Sequence, residues 1–157
     1  MKQNKTKIVN DPIYGFIQIP NDLTFDLIQH PYVQRLRRIK QLGLTYYVYP
    51  GATHTRFQHI LGASFLMKEA LNVLHSKGQE ITEDEYEGAI IAILLHDSGH
   101  GPFSHTLENM FFKNIKHEDV SLAFMEFLNH EFGGKLKTGI EIFKGIYPKK
   151  FLHQLVS

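Results

Sequence analysis

Ten histidines in a chain of 157 residues are the residues most able to do chemistry here. Four of them, His96, His100, His105 and His117, fall within a short stretch. Histidine is the commonest metal ligand and the side chain that titrates nearest neutrality, so the clustering points to metal or acid–base chemistry. His30, His75, His130 and His153 stand apart and read as surface or capping residues. The chain has no cysteine, which removes thiolate ligands, a cysteine nucleophile and a disulfide scaffold.

His96 and Asp97 follow directly on the apolar run AIIAILL at 89–95. A helix apolar on every side is central and buried. A buried ionised carboxylate is costly unless it is paired or bound to a metal. Neighbouring helical residues project about 100° apart, so both side chains can clasp one ion only where the helix is ending. Ser98-Gly99-His100-Gly101-Pro102 supplies that ending, because Gly and Pro cannot sustain the helix. A third candidate ligand, His59, lies on another long helix, in a stripe with Ala63, Leu66, Ala70 and Val73. This spacing predicts that the stripe faces the core and aims His59 inward. Imidazole plus carboxylate suits Mn, Fe, Zn, Ni or Co and not Ca.

The elements that must position these residues are mostly helical. Residues 1–20 read as an arm with an extended or hairpin element around Tyr14 to Ile19. A short helix is expected over 24–29, a second from Pro31 to about Leu42, and a short strand over Thr45 to Tyr49. The long helix bearing His59 is predicted over about 55–77, with Gly78 just past its end. Thr82-Glu83-Asp84-Glu85 has the capping-box form and starts the buried helix. Further helices are expected from about Ser104 to Phe112, from His117 to about Phe132, and as two short pieces between Thr138 and Val156. There is no internal repeat or domain linker.

Hydrophobic residues make up 43% and charged residues 21%, which argues against disorder. A net charge of +1 does not announce a nucleic-acid binder. The longest apolar run is too short to span a bilayer, and the polar start leads to no apolar signal segment. A cytoplasmic protein without a membrane partner is the expectation.

Two motifs and four supporting runs carry a resemblance. Arg56-Phe57-Gln58-His59-Ile60-Leu61-Gly62 and the run from His96 to His105 (HDSGHGPFSH) resemble the motifs of the HD-domain metal-dependent phosphohydrolases. Supporting runs are Asn10 to Gly15, Gln34 to Gly43, Tyr46 to Gly51, and His117-Glu118. Within that superfamily the chain is similar to the deoxynucleoside-triphosphate triphosphohydrolase branch. The resemblance implies an all-α, HD-type helical core with a small N-terminal β hairpin or extended arm.

It also implies roles. His59, His96 and Asp97 would be three ligands of a divalent metal ion, with Mg added to the metals above. Arg56 would approach substrate phosphates, whose oxygens its guanidinium can grip as a fork. His100 and His105 would face the triphosphate, and His105 could give a proton to the leaving sugar oxygen. His117 with Glu108 would form an acid–base or supporting pair. Gln41 and Leu42 would contact the sugar or base. The implied reaction is attack of water on the α-phosphorus, releasing triphosphate and a deoxynucleoside. The partners implied are a nucleotide substrate, a nucleotide effector near Arg37, and further copies in a homo-oligomer.

The chain departs from the family pattern twice. The family's fourth metal ligand is an aspartate well downstream, and no aspartate follows Asp119. The chain is therefore expected to be the N-terminal portion of a single HD domain, with 1–20 as the arm and 21–157 as a helical core that stops before the last ligand. Gln29 stands where regulated members carry an acidic residue that reads guanine. Capping and pairing also account for Arg56, His105 and His117, and no role is assigned to His54. Two other readings stay open. One is another nucleotidase or phosphodiesterase of the same superfamily. The other is a catalytically deficient fragment that binds nucleotide or nucleic acid through Arg35, Arg37, Arg38 and Lys40.

Overall fold

The computed structural model describes residues 7–103 and 116–146. The arm forms an antiparallel hairpin of β1 (Ile8–Asp11) and β2 (Gly15–Gln18), with Val9 opposite Ile17. Asp11 sets its turn. One carboxylate oxygen accepts the Ile13 and Tyr14 backbone N–H groups at 2.8 and 3.0 Å. Tyr14 then docks the hairpin on the long helix. Its ring covers Gly62, where a Cβ would meet Cε2 at 2.8 Å, and packs on Phe65 with centroids 5.0 Å apart.

Asn21 caps α1 (Asp22–Gln29) by accepting the Thr24 N–H. His30 caps α2 (Pro31–Gln34), which tightens into a 3-10 turn at Arg35–Arg38. The helix expected to reach Leu42 therefore stops early. Tertiary pairing is the reason: the Arg56 N–H donates to the Ile39 carbonyl and the Gln41 N–H to the His54 carbonyl, which draws 39–40 into extended backbone. The strand expected near Thr45 is a 3-10 turn, Thr45–Tyr47. Tyr47, Val48 and Tyr49 are exposed. Aromatic and β-branched residues favour a strand only where a pleated surface is there to receive them.

Helix α3 (Arg56–Ser76) begins with a capping box between Thr55 and Gln58. Its buried face is Phe57, Ile60, Leu61 and Leu71. This corrects the expected stripe, since Leu66 and Val73 are 51% and 49% exposed. Both faces are apolar enough to satisfy the periodicity, so spacing alone selects the wrong one. His59 sits at the edge between them, half-buried.

Helix α4 (Glu83–Leu95) starts at the capping box of Thr82 and Glu85 and is the central element. Ala89 to Ala92, Leu94 and Leu95 are all buried. Two more helices cover it, α5 (His117–Glu131) and α6 (Lys137–Ile146). Helices α4 and α6 cross at glycine. A Cβ on Gly88 would meet Thr138 Cγ2 at 2.8 Å, and one on Gly139 would meet Ile91 Cγ2 at 2.8 Å. The helix expected over 104–112 and the tail beyond 146 lie outside the described residues. The fold is a helical core with one small hairpin. No helix among the described residues is long and apolar enough to cross a membrane.

Candidate metal centre

The end of α4 delivers His96 and Asp97 to the start of α3, which delivers Arg56 and His59. Their ring nitrogens and carboxylate oxygens lie within 4.8 Å of one another for His59, His96 and Asp97. His59 Nε2 is 3.3 Å from His96 Nε2. Asp97 Oδ1 lies 3.3 Å from His96 Nε2, and Oδ2 lies 3.7 Å from His59 Nε2. His96 Nδ1 is 2.6 Å from the Ile93 carbonyl, which can only accept. That bond fixes the proton on Nδ1 and leaves the Nε2 lone pair turned to the site. The two Nε2 atoms and the carboxylate are therefore close enough to share one ion. The set fits a divalent ion.

A second group, Asp97, His100 and His117, also lies within 4.8 Å. Its imidazoles stack at 3.8 Å and 16°. Lone pairs lie in ring planes, and nearly parallel planes do not meet at a common ion. The geometry therefore separates a converging set at His59 and His96 from a stacked wall at His100 and His117. Helix α5 contributes His117, whose Nδ1 is 3.4 Å from Glu118 Oε2.

Asp97 is 5% exposed, and the buried Arg56 guanidinium lies 2.5 Å from its Oδ2. Burial pushes the carboxyl up, but His96, Arg56, His100 and His59 outweigh it and hold the group below the usual carboxylate range. The site therefore keeps Asp97 ionised. Burial, with help from His96, Arg56 and His54, holds His59 below its usual value against the pull of Asp97. A neutral imidazole is the form that ligates.

One supporting residue carried no sequence signal. Ser121 is fully buried in α5; its hydroxyl donates to the His96 carbonyl at 2.6 Å and accepts the Gly99 N–H at 2.8 Å. Gly99 makes the approach possible, since a Cβ there would collide with the His117 carbonyl and lie 2.5 Å from Ser121 N. A lone serine within an apolar helix looks like any other helix serine.

The remaining candidates are placed as follows. Arg56 is 2% exposed and turned onto Asp97. Gln41 is held beside the start of α3 by its backbone bond to His54, and its Oε1 is buried without a hydrogen-bond partner. Leu42 is exposed. Arg37 lies over the Phe57 ring at 3.7 Å and donates to Gln34 Oε1. His105 and Glu108 lie outside the described residues.

The family model of the HD domain matches residues 56–148, a span that contains the whole converging set. The deoxynucleoside triphosphate triphosphohydrolase SAMHD1 of Xenopus laevis is 41% identical over 130 residues, covering 78% of this chain and 20% of the relative. The uncharacterized protein YwfO of Bacillus subtilis is 41% identical over 120 residues, covering 76% of this chain and 27% of the relative. A phosphohydrolase of Bacteroides thetaiotaomicron, known as a crystal structure, superposes with a TM-score of 0.87 at 57% identity. That match covers 98% of this chain and 38% of the other. The chain thus spans between 20% and 38% of the length of these three proteins.

Proposed function

Because the chain belongs to the HD domain family, we propose that the protein is a metal-dependent phosphohydrolase acting on deoxynucleoside triphosphates. The observation that carries this reading is the convergence of His59, His96 and Asp97 at the end of a buried helix, with the stacked His100 and His117 beside them. The likeness to a deoxynucleoside triphosphate triphosphohydrolase supports the choice of substrate.

When bound by His59, His96 and Asp97, a divalent ion supplies Lewis acidity at a phosphoryl oxygen and a nucleophile at neutral pH. The chain's own groups do the rest. The Ile93 carbonyl holds His96 in one tautomer. Arg56 keeps Asp97 ionised and in place, and in this reading its positive charge offsets charge that develops on the phosphate while His100 faces the triphosphate. His105 protonates the leaving sugar oxygen, and His117 with Glu108 supports that transfer. Gln41 and Leu42 contact the sugar or base. In this reading the protein works in the cytoplasm as a homo-oligomer, with Arg37 near a nucleotide effector.

The test is a product analysis. The protein is incubated with deoxynucleoside triphosphates and Mn²⁺ or Mg²⁺. Equal amounts of deoxynucleoside and inorganic triphosphate are expected. Release of phosphate or pyrophosphate would assign a different reaction of the same family, and metal binding without any product would contradict the proposal.

A further inference from the structure

The backbone that carries the site is held from outside. The Leu95 and Asp97 carbonyls accept the Ser98 and His100 N–H groups, which closes a local turn. The His96 carbonyl accepts the Ser121 hydroxyl. The Ser98 and His100 carbonyls go to one side chain, Arg35. Its Nη1 donates to His100 at 2.7 Å and its Nη2 to Ser98. Five carbonyls between Leu95 and His100 thus have donors, and Arg35 supplies two of them.

Arg35 lies in the 3-10 turn after α2, far from this loop in sequence. It is half-buried, with its guanidinium carbon 5.4 Å from the Phe124 ring centroid on α5. Among the described residues no carboxylate pairs with it. Its charge instead faces carbonyl dipoles where α4 ends, and a helix C-terminus is the negative end. The basic run Arg35 to Lys40 is therefore not one solvated face.

We infer that Arg35 is a positioning residue for the candidate metal centre: its forked guanidinium fixes the Ser98 and His100 carbonyls, and with them the backbone that aims His96, Asp97 and His100. The planar fork presents its two donors to the two carbonyls at a fixed spacing, whereas a lysine ammonium is a point charge on a flexible stem. The functional half of this inference rests on the metal-centre reading above. The structural half does not.

The experiment compares the full chain with Arg35→Gln, Arg35→Lys and, as an exposed control, Arg38→Ala. Amide hydrogen exchange is read on metal-free protein, and Co²⁺ affinity and absorption spectrum by titration. Arg35→Gln should lose protection across residues 96–100 while the hairpin and α3 keep theirs. Its Co²⁺ affinity should fall by about tenfold to a hundredfold, the usual cost of losing a group that orients ligands. Arg35→Lys should melt near wild type yet still bind Co²⁺ more weakly with an altered spectrum, and it carries the test if Arg35→Gln fails to fold. Arg38→Ala should match wild type. Wild-type exchange and Co²⁺ affinity in Arg35→Lys would overturn the inference. Loss of protection in the variants, with no Co²⁺ binding by wild type, would uphold the clamp on the loop and contradict the metal reading.

Discussion

Asp97 is buried and ionised at once, and its neighbours resolve the conflict. Burial alone would favour the neutral acid, yet Arg56 and the surrounding imidazoles keep the charge. Asp97→Asn leaves the Arg56 guanidinium buried and unbalanced. Denaturant unfolding should therefore show a loss of about 3–5 kcal/mol, the usual cost of breaking a buried pair from one side. His59 gives a pH signature of known sign. Unfolded histidine takes its proton near pH 6.5. Folded His59 resists protonation until lower pH because burial disfavours its charge. The stability it contributes is full above about pH 6.5 and is lost as pH falls through the lower folded value. Asp97 behaves in the same sense further down, full above about pH 4 and lost as pH falls through its depressed value. Melting of metal-free protein should thus decline from about pH 6.5 downward, and His59→Gln should remove that first decline. Identical pH curves for the two proteins would contradict the assignment. The pairing of His96 with Asp97 was legible in the sequence because residue type and a buried helix end coincide, whereas His59 joins them although the stripe expected to aim it inward is exposed. Ser121 and the inward turn of Arg35 were not, because their signal is a contact with distant backbone.

Glycine sets the spacing between elements. Gly88 and Gly139 bring α4 and α6 together with no room for a methyl group. Gly88→Ala should cost about 1–3 kcal/mol, as overpacking does, measured by thermal or denaturant unfolding. Gly99→Ala acts at the site, where it must push α5 and Ser121 away from the His96–His100 loop. It should weaken metal binding by about tenfold or more, since it displaces a group that orients the ligands. The start of α4 is legible because the capping box at Thr82 is local chemistry, and α4 follows it; the capping box at Thr55 appears only in the structure. The face of α3 was not legible. Phe57, Ile60 and Leu61 compete with Leu66 and Val73 for the core, and only the position of α4 decides between them.

Across the whole molecule, the core is built from the hairpin, α1 and the helices around α4, while an apolar stripe of α3 stays open. Leu66→Gln and Val73→Gln should each change unfolding free energy by no more than about 0.5 kcal/mol, as surface substitutions do. A core-sized loss would contradict this placement. The helical architecture was legible as a class because α4 is apolar all round and must be surrounded. Early termination of α2 was not, since it depends on pairing between 39–41 and 54–56. The central claim is that His59, His96 and Asp97 together hold one divalent ion. Its most direct test is a Co²⁺ titration of the chain followed by absorption spectroscopy, repeated on His59→Ala, His96→Ala and Asp97→Asn. The account predicts one ion per chain with a ligand-field spectrum that each substitution weakens or abolishes. Binding of the same strength and spectrum in all three variants would contradict it.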